Sequence, residues 1–227
     1  MADSKIGFLF LGAGSSKRMR GSDKLLEKIN GVSLIERLAN EALSLKIPVF
    51  ITIPENNTRR RAIISKTKAN IIPVRDPKLG MGHSIAEGIK EITKTCNFSS
   101  LAICPSDLPA LKANSLKLLL NHFFKSPTLI CRPVNVNASR AGHPVIFPKK
   151  YFEELKAIKG DTGARKIILK NEKAINNYET DDEAYFLDLD TPEDFTNWKS
   201  RATTQILDRK RKVEVDIITP TSSREVK

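Results

Sequence analysis

The sequence predicts an α/β fold with a mostly parallel sheet covered by helices on both faces. Three observations carry this reading. Short apolar, β-branched runs recur along the chain, helical apolar stripes fill the intervals between them, and the connections are short and marked by Pro, Gly or Asn. Strand–helix–strand alternation of this kind favours parallel pairing with helical crossovers.

The predicted strands are Ile6–Leu11, Val49–Ile53, Ile71–Val74, Leu101–Cys104 and Leu129–Cys131. Ser33 and Glu36 make a capping box that opens a helix with apolar Leu34, Leu38, Ala42 and Leu45. Ile85, Ile89 and Ile92 form a second helical stripe, and Leu116, Leu119, Leu120 and Phe123 a third. Late in the chain, Asp188 and Asp190 stand two apart on a predicted strand, which puts both side chains on one face. Thr191, Pro192 and Asp194 then read as a helix start. In open sheets of this kind, ligands collect beyond the carboxyl ends of the strands.

At 227 residues, with 40% hydrophobic and 28% charged residues, the chain is long enough to bury a sizeable core. No apolar run reaches membrane-spanning length, so no membrane partner is expected. Ile6–Leu11 is short for a signal-peptide core, and Lys17, Arg18 and Arg20 stand where a cleavage site would lie. Cys96, Cys104 and Cys131 show no metal or disulfide spacing and read as reduced thiols, which points to the cytoplasm. The net charge of +12 raises nucleic acid as a partner, but aromatics are only 6% and no basic–aromatic interleaving or zinc spacing appears. Part of the positive excess sits in "DRKRK" near the C-terminus and part beside the glycine loop, and a small, highly charged anion accounts for the second group better than a polymer does.

That loop follows the first strand. Gly12, Gly14, Ser15 and Ser16 can turn backbone N–H groups inward around an anion, with glycine allowing positive φ and close approach of a ligand. Arg18 and Lys24 add full charges for a phosphate chain. The stretch lacks the P-loop pattern, and Lys17 stands where a dinucleotide fingerprint needs its third glycine. An ordinary strand–helix turn is the bland alternative.

The whole stretch "LGAGSSKRMRGSDKLL" resembles the signature loop of the MobA-like nucleotidyltransferases. "GMGHSIAEGI", "CPSDLP", "AGHPVIF", "GDTGAR" and "DLDTPEDF" follow in the family's order, so the resemblance covers roughly residues 5–200. "GHPVIF" and "GDTGAR" resemble the molybdenum cofactor cytidylyltransferase branch. Gly12 stands where that branch usually has Ala, and Arg20 at the usual Gly after Met19; neither departure removes a charge. The resemblance implies a single Rossmann-like three-layer α/β/α domain over residues 1–202, followed by a basic tail at 203–227.

It also implies roles. Arg18, Lys24 and Asp107 would be catalytic. The nucleotide would lie against Leu11, Gly12, Ala13, Gly14, Ser15, Arg18, Lys24, Pro54, Gly82, Ser84, Asp107 and His143. Two strand-end carboxylates make a site for Mg²⁺, with Mn²⁺ as substitute. The resemblance assigns these to Asp107 and Asp190, with Asp188 as the alternative. CTP would be the donor, Ala13 favouring cytidine, and a small phosphorylated acceptor would attack its α-phosphorus and release pyrophosphate. The acceptor would meet Arg140–Val145, Asp161 and Arg165, although an Asp161–Arg165 surface pair is the plainer reading of the last two. A molybdoenzyme or a maturation factor would be the protein partner. His122, on a helix, reads as structural. Other bases or acceptors, a non-catalytic nucleotide-binding regulator, and a nicotinamide oxidoreductase reusing "GAG" remain as alternatives; for the last, Glu55 after Pro54 is a poor ribose ligand.

Overall fold

The computed structural model describes residues 5–15, 19, 21–137 and 139–198. The chain divides into two compact units, Met1–Leu189 and Asp190–Lys227. The expected tail at 203–227 lies outside the described residues.

In the first unit, β1 (Ile6–Leu11) leads through a small hairpin of β2 (Lys28–Ile29) and β3 (Val32–Ser33) into α1 (Leu34–Leu43). There follow β4 (Val49–Pro54), α2 (Thr58–Ile64), β5 (Asn70–Val74), α3 (Met81–Thr95), β6 (Ser100–Pro105) and α4 (Ala113–Phe123). The remainder comprises β7 (Ile130–Asn135), β8 (Arg140–Ala141), β9 (Val145–Pro148), α5 (Phe152–Lys156), α6 (Arg165–Lys170) and β10 (Ile175–Glu179). The main sheet runs β5–β4–β1–β6–β9–β7–β10, with β8 beside β7. β5, β4, β1 and β6 are mutually parallel, with Leu11 level with Thr52 on one side and Pro105 on the other. β9 runs antiparallel to both β6 and β7. The expected mostly parallel sheet with helices is what forms.

β1 sits between two parallel neighbours and is buried on both faces, as its unbroken apolar run demands. Leu9 joins a core with Ile85, Ile89, Ile92, Leu101, Phe147 and Leu155, built from α3, α5 and the sheet. Phe8 and Phe10 stack on each other at 5.7 Å, and both are buried. The three helical stripes bury as expected, except that α1 ends at Leu43, before Leu45. The Ser33 hydroxyl caps no backbone N–H; it donates to Glu36 Oε2 at 3.4 Å instead. β7 runs through Pro133 to Asn135, well past the expected Cys131.

In the second unit, residues 192–198 are helical. Asp194 Oδ2 accepts from the Thr191 N–H (2.8 Å) and Thr191 Oγ1 accepts from the Asp194 N–H (3.2 Å), a reciprocal cap at the expected helix start. Residues 187–190 form no strand, which corrects the expectation that Asp188 and Asp190 share a sheet face. The stretch is held otherwise: the Leu189 N–H donates to the Asp107 carbonyl at 3.3 Å.

Candidate active site

β4 and β5 lie to one side of β1, and β6, reached through α3, lies to the other. The chain therefore reverses its direction of travel across the sheet between β1 and β6, and a crevice opens outside their carboxyl ends. The loop after Leu11 and the segment Ser106–Asp107 flank that point.

Lys24 and Asp107 meet there. Lys24 Nζ lies 2.5 Å from Asp107 Oδ2, with the two side chains 15% and 16% exposed. The other carboxylate oxygen, Oδ1, is buried with no hydrogen-bond partner among the described residues, as are Ser106 Oγ and His143 Nδ1. A buried acceptor without a donor is costly unless a ligand supplies one. Burial lowers the pKa of His143, with the Asp107 charge opposing, so the imidazole is neutral at neutral pH. Burial raises the pKa of Cys104, and Asp107 adds to the effect. That thiol is no nucleophile.

The loop differs from expectation in two respects. Neither Gly12 nor Gly14 has a left-handed φ; the positive-φ glycines are Gly21, Gly31, Gly80, Gly160 and Gly163. The Gly12 N–H also donates to Thr52 Oγ1 at 3.3 Å, so it is turned to the protein rather than toward a ligand. Gly12 is needed for packing, because a Cβ there would meet the Thr52 carbonyl oxygen at 2.8 Å. At Gly14 a Cβ would meet nothing within 4 Å. Ala13 is buried, whereas Gly14 and Ser15 are exposed. Arg18 lies outside the described residues.

Arg60, which sequence reasoning missed, is 2% exposed and straps this loop. Its Nε and Nη2 donate to Asp23 Oδ2 (2.8 Å) and Oδ1 (2.7 Å), and its Nη1 to the carbonyls of Gly12 (2.6 Å) and Gly14 (2.8 Å). The available signal was its spacing from Ile64, which marks the buried face of α2.

Pro54, Gly82 and Ser84 lie beyond the carboxyl ends of β4 and β5. Pro54 ends β4, and α3 begins a short turn beyond β5, carrying Gly82 and Ser84 in its first turns. The Gly82 N–H donates to the Gly160 carbonyl at 2.7 Å, and a Cβ there would strike Ile158, so "GMGHS" and "GDTGAR" pack together. Asp161 lies against Gly80 and forms no ion pair with Arg165 among the described residues. Arg140 is occupied with the 183–186 turn: Nη2 donates to the Phe186 carbonyl at 2.6 Å, and Nη1 lies 3.4 Å from Glu183 Oε2. His122 Nε2 pairs with Asn176 Oδ1 at 2.9 Å, the structural role expected of it. Asp188 is exposed. Asp190 opens the second unit, where its N–H donates to Asp194 Oδ2 at 3.1 Å.

A lone strand-end carboxylate with one orphaned oxygen, beside a lysine, suits a hard cation that completes its shell with phosphate oxygens and water. Among the described residues no group of three or more His, Cys, Asp or Glu side chains is placed to hold a metal ion. No helix among them is long and apolar enough to cross a membrane.

The chain belongs to the MobA-like NTP transferase domain family, whose model matches residues 8–175. It is thus a nucleotidyltransferase by family. It is 24% identical over 196 residues to purine catabolism protein PucB of Bacillus subtilis strain 168, covering 82% of this chain and 92% of that protein. Rv0371c of Mycobacterium tuberculosis H37Rv superposes with a TM-score of 0.71 at 18% identity, over 87% of this chain and 98% of that one. The same mycobacterial protein solved with manganese gives 0.62 at 16% identity, over 78% and 88%. CMP:2-keto-3-deoxy-manno-octonic acid synthetase complexed with CTP gives 0.68 at 14% identity, over 89% and 100%. At these identities the structural likenesses speak for the fold.

Proposed function

We propose that the protein transfers CMP from CTP to a phosphorylated acceptor, molybdopterin or the molybdenum cofactor, as in the cytidylyltransferase branch its motifs resemble. The observation that carries the reading is the Lys24–Asp107 pair, which joins the segment after β1 to the end of β6 at the carboxyl ends of these two neighbouring strands. A cation-binding carboxylate and a phosphate-binding ammonium side by side suit a nucleoside triphosphate.

On this reading Lys24, Arg18 and the amides of Ala13–Ser15 neutralise the triphosphate. An oxygen of the acceptor phosphate forms a bond to the α-phosphorus in line, the bond from that phosphorus to its bridging oxygen breaks, and pyrophosphate leaves with that oxygen. The acceptor phosphate is already ionised near neutral pH, so no general base is required. The work of the protein is positioning and charge stabilisation. Mg²⁺, or Mn²⁺ in its place, would be held by Asp107 together with Asp190, Asp188 being the alternative; when bound it neutralises phosphate charge. Pro54, Gly82, Ser84 and Leu11 shape the nucleoside pocket, and Ala13 biases it toward cytosine. Residues 1–202 would carry this activity and 203–227 a basic tail. The reaction would run in the cytoplasm and deliver its product to a molybdoenzyme or a maturation factor.

The test is Mg²⁺-dependent pyrophosphate release with each of the four NTPs against molybdopterin, sugar phosphates and alcohol phosphates. Release is expected with CTP and molybdopterin, and Ala13→Gly should relax the preference over GTP. Preference for GTP, or indifference to the base, defeats the cytidylyl assignment. No release with any NTP defeats the transfer itself.

A further inference from the structure

Arg60 sits on α2 between an exposed Arg59 and a half-exposed Arg61, yet its own side chain is 3% exposed. Taking a guanidinium out of water is costly, and apolar packing in the same place is often as stabilising as a buried ion pair. Apolar packing cannot turn carbonyl groups, however, and that is what Arg60 does. Its fork engages both oxygens of Asp23, while Nη1 gathers the Gly12 and Gly14 carbonyls. Asn57 secures both ends of the strap, donating from Nδ2 to Asp23 Oδ2 (3.3 Å) and accepting the Arg60 N–H at Oδ1 (3.0 Å).

The consequence follows from peptide geometry. A planar trans peptide carries its N–H opposite its C=O. With the carbonyls of residues 12 and 14 turned onto the guanidinium, the N–H groups of Ala13 and Ser15 face the other way. Asp23, held by the same side chain, directly precedes Lys24, whose ammonium group reaches Asp107. One residue outside the loop therefore sets the direction of two amides and the anchor point of a lysine.

We propose that Arg60 is a positioning residue for the phosphate-binding loop: through Asp23 and the Gly12 and Gly14 carbonyls it aims the N–H groups of Ala13 and Ser15 at the phosphate chain without touching it. The inference rests on the reading that this loop binds a nucleotide's phosphates.

The probe is inorganic tripolyphosphate, titrated into the parent, into Arg60→Lys, and into Arg60→Met/Asp23→Leu, which replaces the ion pair with apolar groups. In the parent, tripolyphosphate should shift the amide resonances of Ala13 and Ser15. The apolar double variant should melt below the parent, because the Gly12 and Gly14 carbonyls lose their donor and the Leu25 N–H loses its Asp23 cap, and it should bind tripolyphosphate about tenfold more weakly or worse, the loss of a charge-assisted hydrogen bond. Arg60→Lys, which keeps the charge but loses the fork, should weaken with it. Unmoved Ala13 and Ser15 amides in the parent, no binding by the parent, or parent-like affinity in either variant overturns the proposal. Should the double variant not fold, Arg60→Lys and the parent's own amide shifts decide. A parent that binds tripolyphosphate through these amides, yet releases no pyrophosphate from CTP, upholds Arg60's role and sinks only the cytidylyl reading.

Discussion

Gly12 and Gly14 stand two residues apart in one loop, and the same methyl group should have opposite consequences at the two positions. In Gly12→Ala the new Cβ lies 2.8 Å from the Thr52 carbonyl oxygen, 3.0 Å from Ile35 Cδ1 and 3.2 Å from Ile51 Cγ2. The nearest of these belongs to the backbone of β4, which the β1–β4 pairing holds in place. Relief requires backbone movement, and overpacking of this kind costs about 1–3 kcal/mol. In a chain of this size that lowers the thermal midpoint by roughly 2–4 °C per kcal/mol. Gly14→Ala meets nothing within 4 Å and faces no left-handed φ. Its stability should match the parent or exceed it by about 0.4–1 kcal/mol through a less free unfolded chain. On the proposed reading its KM for CTP should nonetheless rise, because the methyl would occupy space the phosphates need. Urea unfolding and steady-state kinetics on both variants read the two effects separately. A Gly12→Ala protein with the parent's urea midpoint refutes the packing argument, and a Gly14→Ala protein with the parent's KM refutes the close approach of nucleotide to this backbone.

Lys24→Met leaves the mostly buried Asp107 carboxylate without its ammonium partner. Discounted for the partial exposure of both side chains, the cost should be about 2 kcal/mol by urea unfolding, and Lys24→Met/Asp107→Leu should regain most of it while remaining inactive. Asp107→Asn and Asp190→Asn should each lose most Mg²⁺-dependent turnover and keep their fold, while Asp188→Asn stays active; the reverse pattern between the last two moves the metal role to Asp188. His143 has a pKa lowered from 6.5, so the stability it contributes is present above its unfolded pKa and is lost as pH falls through the folded value. Thermal midpoints should therefore decline below about pH 6.5, and His143→Gln should flatten that decline.

The sequence made the central strands easy to read because strands buried on both faces show as unbroken apolar runs, as in "IGFLFL" and "VFITIP". β10, "INNYE", escaped because it is an edge strand whose side chains are half in water and polar. β9, inside "GHPVIF", is only four residues long, too short a run for its apolar Val145, Ile146 and Phe147 to show a strand period. The segment around Asp188 and Asp190 failed for the opposite reason. Leu189 is buried, but its backbone is tied to Asp107 rather than to a ladder. Lys24 and Asp107 were legible as separate motif residues, yet their direct contact across 83 positions was not. Arg60 was hidden within "TRRR", where three like charges read as a solvated face until the packing of α2 selects one of them.

Among the described residues, β5 and β10 end the sheet, and β5 does so with a proline inside it. The Val74 carbonyl accepts from the Glu55 N–H on the inner side, so Pro73, one step back, turns its nitrogen outward. No ladder bond is lost there, and the outer rim lacks a donor where an incoming strand would need one. At the opposite rim, β10 presents Asn176, Asn177 and Glu179 instead of an apolar band. A concentrated solution of this protein thus meets two rims that are poor templates for adding another chain, which guards against edge-to-edge aggregation without any cost to the crevice at the centre.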